Sequence, residues 1–179
     1  NDLDLPFRVA SHRRLVDDLS LLDSDLLRHE EVEKLRGPTH DAFAAEQATA
    51  VFVKTHDAYT WLDDGTPMLG RPARAALYIL RDPRDVAVSL AFHTGNPIGK
   101  AVRQIVSGKT RMGGDKPHHE QIPQPLLDWS GHVNSWLDQT DIPTHVIRYE
   151  DLLADTAGEF TRLLAFLGGK ADVGAVVRA

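Results

Sequence analysis

Three short runs limit what this chain can fold into: "TAVFVKT" at 49–55, "AALYIL" at 75–80 and "THVIRY" at 144–149. Each is rich in aliphatic and β-branched residues and lacks the polar alternation of a strand with one wet face. They read as strands buried on both faces. Helical patterns stand before, between and after them. Strands alternating with helices imply an α/β domain with a mainly parallel sheet flanked by helices. The second run passes into a helix with almost no loop, because Asp82 is a good N-cap and Pro83 suits the first helical position.

The remaining elements follow from spacing and punctuation. Residues 11–22 read as a helix capped by Ser11, with Leu15, Val16, Leu19 and Leu22 on one face. A second helix is expected over 24–36, capped by Asp23 or Ser24 and stopped by Gly37-Pro38, and a short third one over about 40–47. Residues 57–74, with Asp63-Asp64-Gly65-Thr66-Pro67 and Gly70, read as loop. A helix at about 98–107 leads into a Gly- and Pro-rich stretch up to 125, read as a mobile lid or acceptor-side loop centred on 110–124. A helix over 126–139 carries Leu126, Trp129, Val133, Trp136 and Leu137. The last helix starts on a capping box of Thr156 with Glu159, buries Phe160, Leu163, Leu164 and Leu167, and ends at Gly168-Gly169. No internal repeat or domain linker interrupts this order, so residues 1–179 are read as a single domain.

Composition narrows the function classes. The chain has 179 residues, enough for one domain with a real core. A net charge of −6 and a pI near 5.8 argue against general nucleic-acid binding. A small anion needs only local cations, so it stays open. The absence of cysteine rules out disulfides and thiolate metal sites, and fits a reducing, cytoplasmic setting. No apolar run approaches a membrane span, and the first residues do not read as a signal peptide. The triplet His118-His119-Glu120 lacks further close ligands, and no metal is assigned.

Polar residues stand at the carboxyl ends of all three strands, where open α/β sheets bind their ligands. Lys54 and His56 are two residues apart and would share one face of the first strand. Arg81 ends the second, Ser89 lies about two turns into the following helix, and Tyr149 ends the third. Two readings are open at this point. Arg81 and Ser89 could hold a phosphate with help from the helix start; alternatively Arg81 pairs with Asp85 or Glu150 and Ser89 packs. Tyr149 could meet a base or belong to the core.

The blocks "VFVKTH", "YILRDPRDVAVSLAFH", "WSGHVNSW" and "VIRYEDLLADTAGEFTRLLAFLG" together resemble the sulfotransferases that use 3′-phosphoadenosine 5′-phosphosulfate (PAPS), in family order over roughly 48–168. The resemblance implies a parallel sheet related to the P-loop nucleotide kinases. It implies a general base at His56 and a lysine steadying the transferring group at Lys54. It also implies that Arg81 and Ser89 hold the 3′-phosphate, with Tyr149 near the adenine. The co-substrate implied is PAPS, the product 3′-phosphoadenosine 5′-phosphate, and the partner a small-molecule acceptor; a homodimer is left open. The family's phosphosulfate loop and its C-terminal basic segment are not found in this sequence, so the chain is read as incomplete at both ends. Asp57-Ala58 stands where the cytosolic animal enzymes commonly have leucine and proline, which puts the acceptor pocket in question rather than the base.

Two rivals are weighed against this reading. A phosphoryl kinase of the same fold needs a Walker lysine loop and an acid for magnesium, neither of which is visible here. A catalytically silent nucleotide-binding or interaction module has no need to keep base, lysine and phosphate ligands together.

Overall fold

The computed structural model describes residues 8–113 and 120–169. In chain order its elements are β1 (Arg8–Val9), α1 (Arg13–Ser20), a 3₁₀ turn (Ser24–Leu26), α2 (His29–Ala45), β2 (Val53–Lys54), β3 (Ala76–Leu80), α3 (Pro83–Thr94) and α4 (Ile98–Ile105). They continue with β4 (Arg111–Met112), β5 (Gln124–Pro125), α5 (Trp129–Leu137), β6 (Thr144–Arg148), α6 (Tyr149–Ala154) and α7 (Thr156–Phe166). The chain divides into two compact units. The first holds the described residues up to Ala73 with Gln104–Gln139, and the second holds Arg74–Arg103 with the described residues from Thr140 onward.

In the first unit α1 and α2 pack around Val16, Val32 and Ile122, with Leu27 and Leu35 at the edge. The buried face of α2 runs Val32, Arg36, Thr39, His40, Phe43, which is helical spacing. That face continues straight through Gly37-Pro38, so the expected stop is corrected, and the third helix is the second half of α2. A proline inside a helix removes one backbone hydrogen bond. Here the burial of Thr39, His40 and Phe43 beyond it outweighs that loss. Gly37 serves close approach instead: a Cβ there would lie 2.9 Å from Thr66 Cγ2 and 3.2 Å from the Pro67 carbonyl oxygen. The loop that presses on it is the one expected over 57–74, folded back by Met68 N–H to Thr60 O (3.0 Å) and Leu62 N–H to Thr66 O (2.8 Å).

Several expected caps are corrected. Ser11 does not cap α1; it is buried, its main-chain oxygen accepts from Ile122 N–H at 2.8 Å, and His12 is the N-cap. Asp23 does cap, but it caps the 3₁₀ turn, accepting from Asp25 N–H, and α2 starts later at His29. The helix expected from 126 starts at Trp129, because Leu127 has φ 58° and cannot continue a right-handed helix; Asp128 caps it by accepting from Gly131 N–H at 2.7 Å.

β1 and β2 pair in parallel, Arg8 with Val53 and Val9 with Lys54. The strand expected over 49–55 is thus only two residues long, and Phe52 and Val53 are exposed at 45% and 40%. The residues expected to form a mobile loop are corrected on both flanks. Arg111–Met112 pairs antiparallel with Gln124–Pro125, and Ile122 and Gln124 are fully buried. Residues 114–119 of that stretch lie outside the described residues.

In the second unit β3 and β6 form a five-residue parallel ladder from Ala76–Thr144 to Leu80–Arg148. Parallel neighbours need a long crossover, and α3 falls within it. Among the described residues each of the two parallel ladders is a two-stranded sheet. Leu77 and Ile79 are exposed on β3, against the expectation of burial on both faces. An unalternated apolar run shows that both faces can be buried; what covers them is settled by tertiary neighbours. Parallel strands flanked by helices nevertheless make this an α/β chain.

The stacked rings of His145 and Phe166, 5.2 Å apart, join α7 to β6. α7 is capped by Asp155, which accepts from Gly158 N–H, and not by Thr156, whose hydroxyl donates to Leu152 O at 2.8 Å. Its expected end is found: Gly168 has φ 69°, with Gly168 N–H bonded to Ala165 O and Gly169 N–H to Leu164 O.

Candidate functional site

The chemistry-bearing residues of the first unit lie where β2 ends. Lys54 is its last residue and is exposed; His56 follows in a turn and is half-buried. Strand pairing stops before His56, so the alternation that would put both side chains on one face does not extend to it. The turn is held by Asp57, which is fully buried. Arg36 Nη1 donates to Asp57 Oδ1 at 2.8 Å, Arg36 Nη2 donates to Oδ2, and the Thr55 hydroxyl donates to the same Oδ2 at 2.5 Å. Both charged side chains are 0% exposed. Arg36 Nη1 also reaches Pro123 O at 3.3 Å. A buried carboxylate is tolerable only with such partners.

His56 itself is fixed through its main chain. Its N–H donates to Gln124 Oε1 at 3.1 Å, and its carbonyl accepts from His132 Nε2 at 3.1 Å, which puts the His132 proton on Nε2. Burial pushes the His56 imidazole below its ordinary pKa of 6.5, and the charges of Lys54 and His132 push the same way, against Asp57. His56 is therefore neutral at pH 7, with a free imidazole lone pair. On α2, burial drives His40 down to about 4, with Arg36 as the second cause; its Nε2 has no hydrogen-bond partner.

In the second unit Leu80 and Arg148 are paired in register, so Arg81 and Tyr149 leave the sheet side by side. The structure brings these two together: the Arg81 guanidinium carbon lies 4.5 Å from the centre of the Tyr149 ring. Tyr149 is not the end of a strand, as expected, but the first residue of α6. Arg81 Nη2 pairs loosely with Asp85 at 3.4 Å, while its Nε is shielded from water and has no partner. Glu150 does not pair with Arg81; it accepts from Asp82 N–H at 2.9 Å. Asp82 caps α3 through Arg84 N–H at 2.8 Å and is held at about 2 by the Arg84 side chain. Ser89 is exposed, one turn beyond Asp85 on the same face of α3. An arginine that has a half-engaged fork and an orphaned Nε beside an aromatic ring suits a phosphate carrying a planar base.

Among the described residues no cluster of three or more His, Asp or Glu is poised to hold a metal, and of His118-His119-Glu120 only Glu120 is described. Sequence reasoning missed Arg36, Gln124 and His132, and met Asp57 only as a departure from the pattern of the resembling family. Arg36 alone left a signal: it is a charged residue four positions from Val32 and seven from Phe43, on an apolar stripe.

Comparison with known proteins adds to this geometry. The sequence model described as the sulfotransferase domain matches residues 16–178. Sulfotransferase 2A2 of Mus musculus is 31% identical over 94 residues, which is 52% of this chain and 31% of that protein. Sulfotransferase 2A1 of Mus musculus is 28% identical over 102 residues, and sulfotransferase 2A1 of Rattus norvegicus 27% over 105. The chain thus spans about a third of the length of the curated relatives it matches, with 31–32% of each covered. Among the described residues no helix is long and apolar enough to cross a membrane. With a single family model extending from α1 past the last described helix, the chain belongs to the sulfotransferase domain family.

Proposed function

We propose that this protein transfers a sulfuryl group from PAPS to a hydroxyl or amine of a small-molecule acceptor, with His56 as general base. The observation that carries the reading is the neutral, half-buried His56 beside Lys54, within a chain of the sulfotransferase family. Neutral imidazole takes the acceptor proton as the acceptor oxygen or nitrogen bonds to sulfur. The bond from sulfur to the 5′-phosphate oxygen breaks, and the electron pair stays on that oxygen. Lys54 stabilises the charge growing there; cations fixed where charge develops commonly supply a large share of catalysis. PAPS supplies the activated sulfuryl group. Arg81 and Ser89 hold its 3′-phosphate and Tyr149 its adenine, a reading supported by the orphaned Arg81 Nε and the Arg81–Tyr149 stacking.

The rest of the reading follows the family: a P-loop nucleotide-kinase-like fold, one sulfotransferase domain, a cytoplasmic location, and a small molecule rather than nucleic acid as partner. Homodimerisation is compatible with it. The test is His56→Ala in the complete protein. Turnover of PAPS should fall by roughly 10²–10⁴-fold while binding of 3′-phosphoadenosine 5′-phosphate stays near wild type. In the wild type, the rate should rise with pH through the lowered His56 pKa and be level by neutral pH. A stable variant with wild-type turnover would remove His56 from the chemistry.

A further inference from the structure

Past Lys54 the chain leaves its ladder, and its main-chain groups still need partners. They find them in a neighbouring stretch of the same unit, Gln124 to Trp136. His56 N–H goes to the buried Gln124 side chain and Ala58 N–H to Pro125 O at 2.9 Å. Asp57 N–H stays local, donating to Thr55 Oγ1 at 3.2 Å, and three residues of α5 supply further partners. His132 Nε2 donates to His56 O at 3.1 Å, Ser135 Oγ accepts from Tyr59 N–H at 2.9 Å, and Trp136 Nε1 donates to Asp57 O at 3.0 Å. Positions 132, 135 and 136 lie at helical spacing on one face. The face is itself set by its N-cap at Asp128 and by packing of Trp136, 5% exposed, edge-on to Tyr59 at 5.2 Å.

We propose that His132, Ser135 and Trp136 are positioning residues: this face of α5 fixes the main chain of residues 56–59 and thereby sets where the His56 imidazole stands. Each bond reaches the backbone rather than the imidazole, so α5 acts on the base only through the chain that carries it. A base displaced by about an ångström can lose about a hundredfold in rate. The inference rests on the reading of His56 as the base. The charged and titratable groups bearing on His56 are Lys54 and Asp57 on its own segment and His132 on α5, with Arg36 of α2 behind Asp57.

The test compares His132→Ala, Trp136→Phe and His56→Ala in the complete protein, with PAPS and 2-naphthol as the acceptor probe. Trp136→Phe keeps an aromatic ring and loses the donor together with part of the indole's volume, so its melting temperature is measured on the same preparation. For both α5 variants kcat is expected to fall tenfold or more, with KM for PAPS within about twofold of wild type. His132→Gln, which keeps a donor, is expected to recover part of the loss. In His132→Ala the acid limb of the kcat profile should also move to higher pH, since burial is the main cause of the lowered His56 pKa and a loosened segment is less buried; a merely structural defect lowers the active fraction without moving the limb. If 2-naphthol is not sulfated, the same comparison is read from the His56 imidazole titration and from amide exchange at residues 56, 58 and 59, which should quicken. If His132→Ala does not fold, Trp136→Phe and Ser135→Ala decide. An inactive His56→Ala beside α5 variants with unchanged kcat, limb and exchange overturns the positioning role alone. An active His56→Ala overturns the base assignment, and the positioning role with it.

Discussion

The two polar strand ends are built in opposite ways. The turn after β2 hangs on an ion pair with both side chains 0% exposed, and its main chain is bonded out to Tyr59. The junction after β3 pairs its charges at the surface: Arg81 with Asp85 at 3.4 Å, their side chains 37% and 55% exposed, and Arg84 with Asp82 at 2.6 Å. In water-like surroundings such pairs are weak, while a buried charge that loses its partner is costly. The first arrangement suits a group that must stand in one place. The second suits one that must let go: in the proposed function Arg81 exchanges its loose carboxylate for an incoming phosphate at small cost.

The largest contrast should come from the buried pair. Arg36→Met leaves Asp57 buried without its counter-charge and should cost about 3–5 kcal/mol in urea unfolding. The double change Arg36→Met with Asp57→Leu should recover most of that loss, because the penalty lies in the orphaned charge. Equal losses in the single and double variants would mean that packing, not charge, sets the stability of this turn.

Acid should also act on the first unit. His40 binds its proton near pH 4 when folded and near its ordinary 6.5 when unfolded. Between those values the unfolded chain holds more protons, so stability falls as pH drops, by roughly 3 kcal/mol in total. His40→Gln should flatten that part of the curve of stability against pH; an unchanged slope would assign the acid sensitivity elsewhere.

At the second strand end the effect should appear in binding. Arg81→Ala is expected to weaken 3′-phosphoadenosine 5′-phosphate by about 2 kcal/mol, roughly thirtyfold, in titration calorimetry. Adenosine 5′-monophosphate, lacking the 3′-phosphate, should change far less; equal losses for both would move the phosphate away from Arg81. The smallest effect belongs to Arg84→Ala, which should leave the melting temperature within error of wild type, since its pair with Asp82 is solvated. A clear drop there would erase the contrast between the two strand ends.

The sequence by itself determined what local chemistry decides. Asp82 and Pro83 fixed the start of α3 because a cap and a preset φ act within one turn. Gly168-Gly169 fixed the end of α7 because only glycine enters a positive φ without strain. The pattern of strands and helices fixed parallel pairing, and the quoted motifs pointed to the sulfotransferase family. Tertiary structure decided everything that depends on what lies opposite. Gly37-Pro38 reads as a stop, yet it is helix, because the loop at Thr66 and Pro67 presses on it and the buried face runs on. Ser11 and Thr156 read as caps, yet the Ser11 hydroxyl is buried without a hydrogen-bond partner and the Thr156 hydroxyl donates to Leu152 O. Asp57 reads as an oddity beside His56, and it becomes the buried anchor of the turn only because Arg36, twenty-one residues earlier, lies across from it. No local pattern carries that information, since a buried charge is stabilised by a partner that only the folded chain brings within reach.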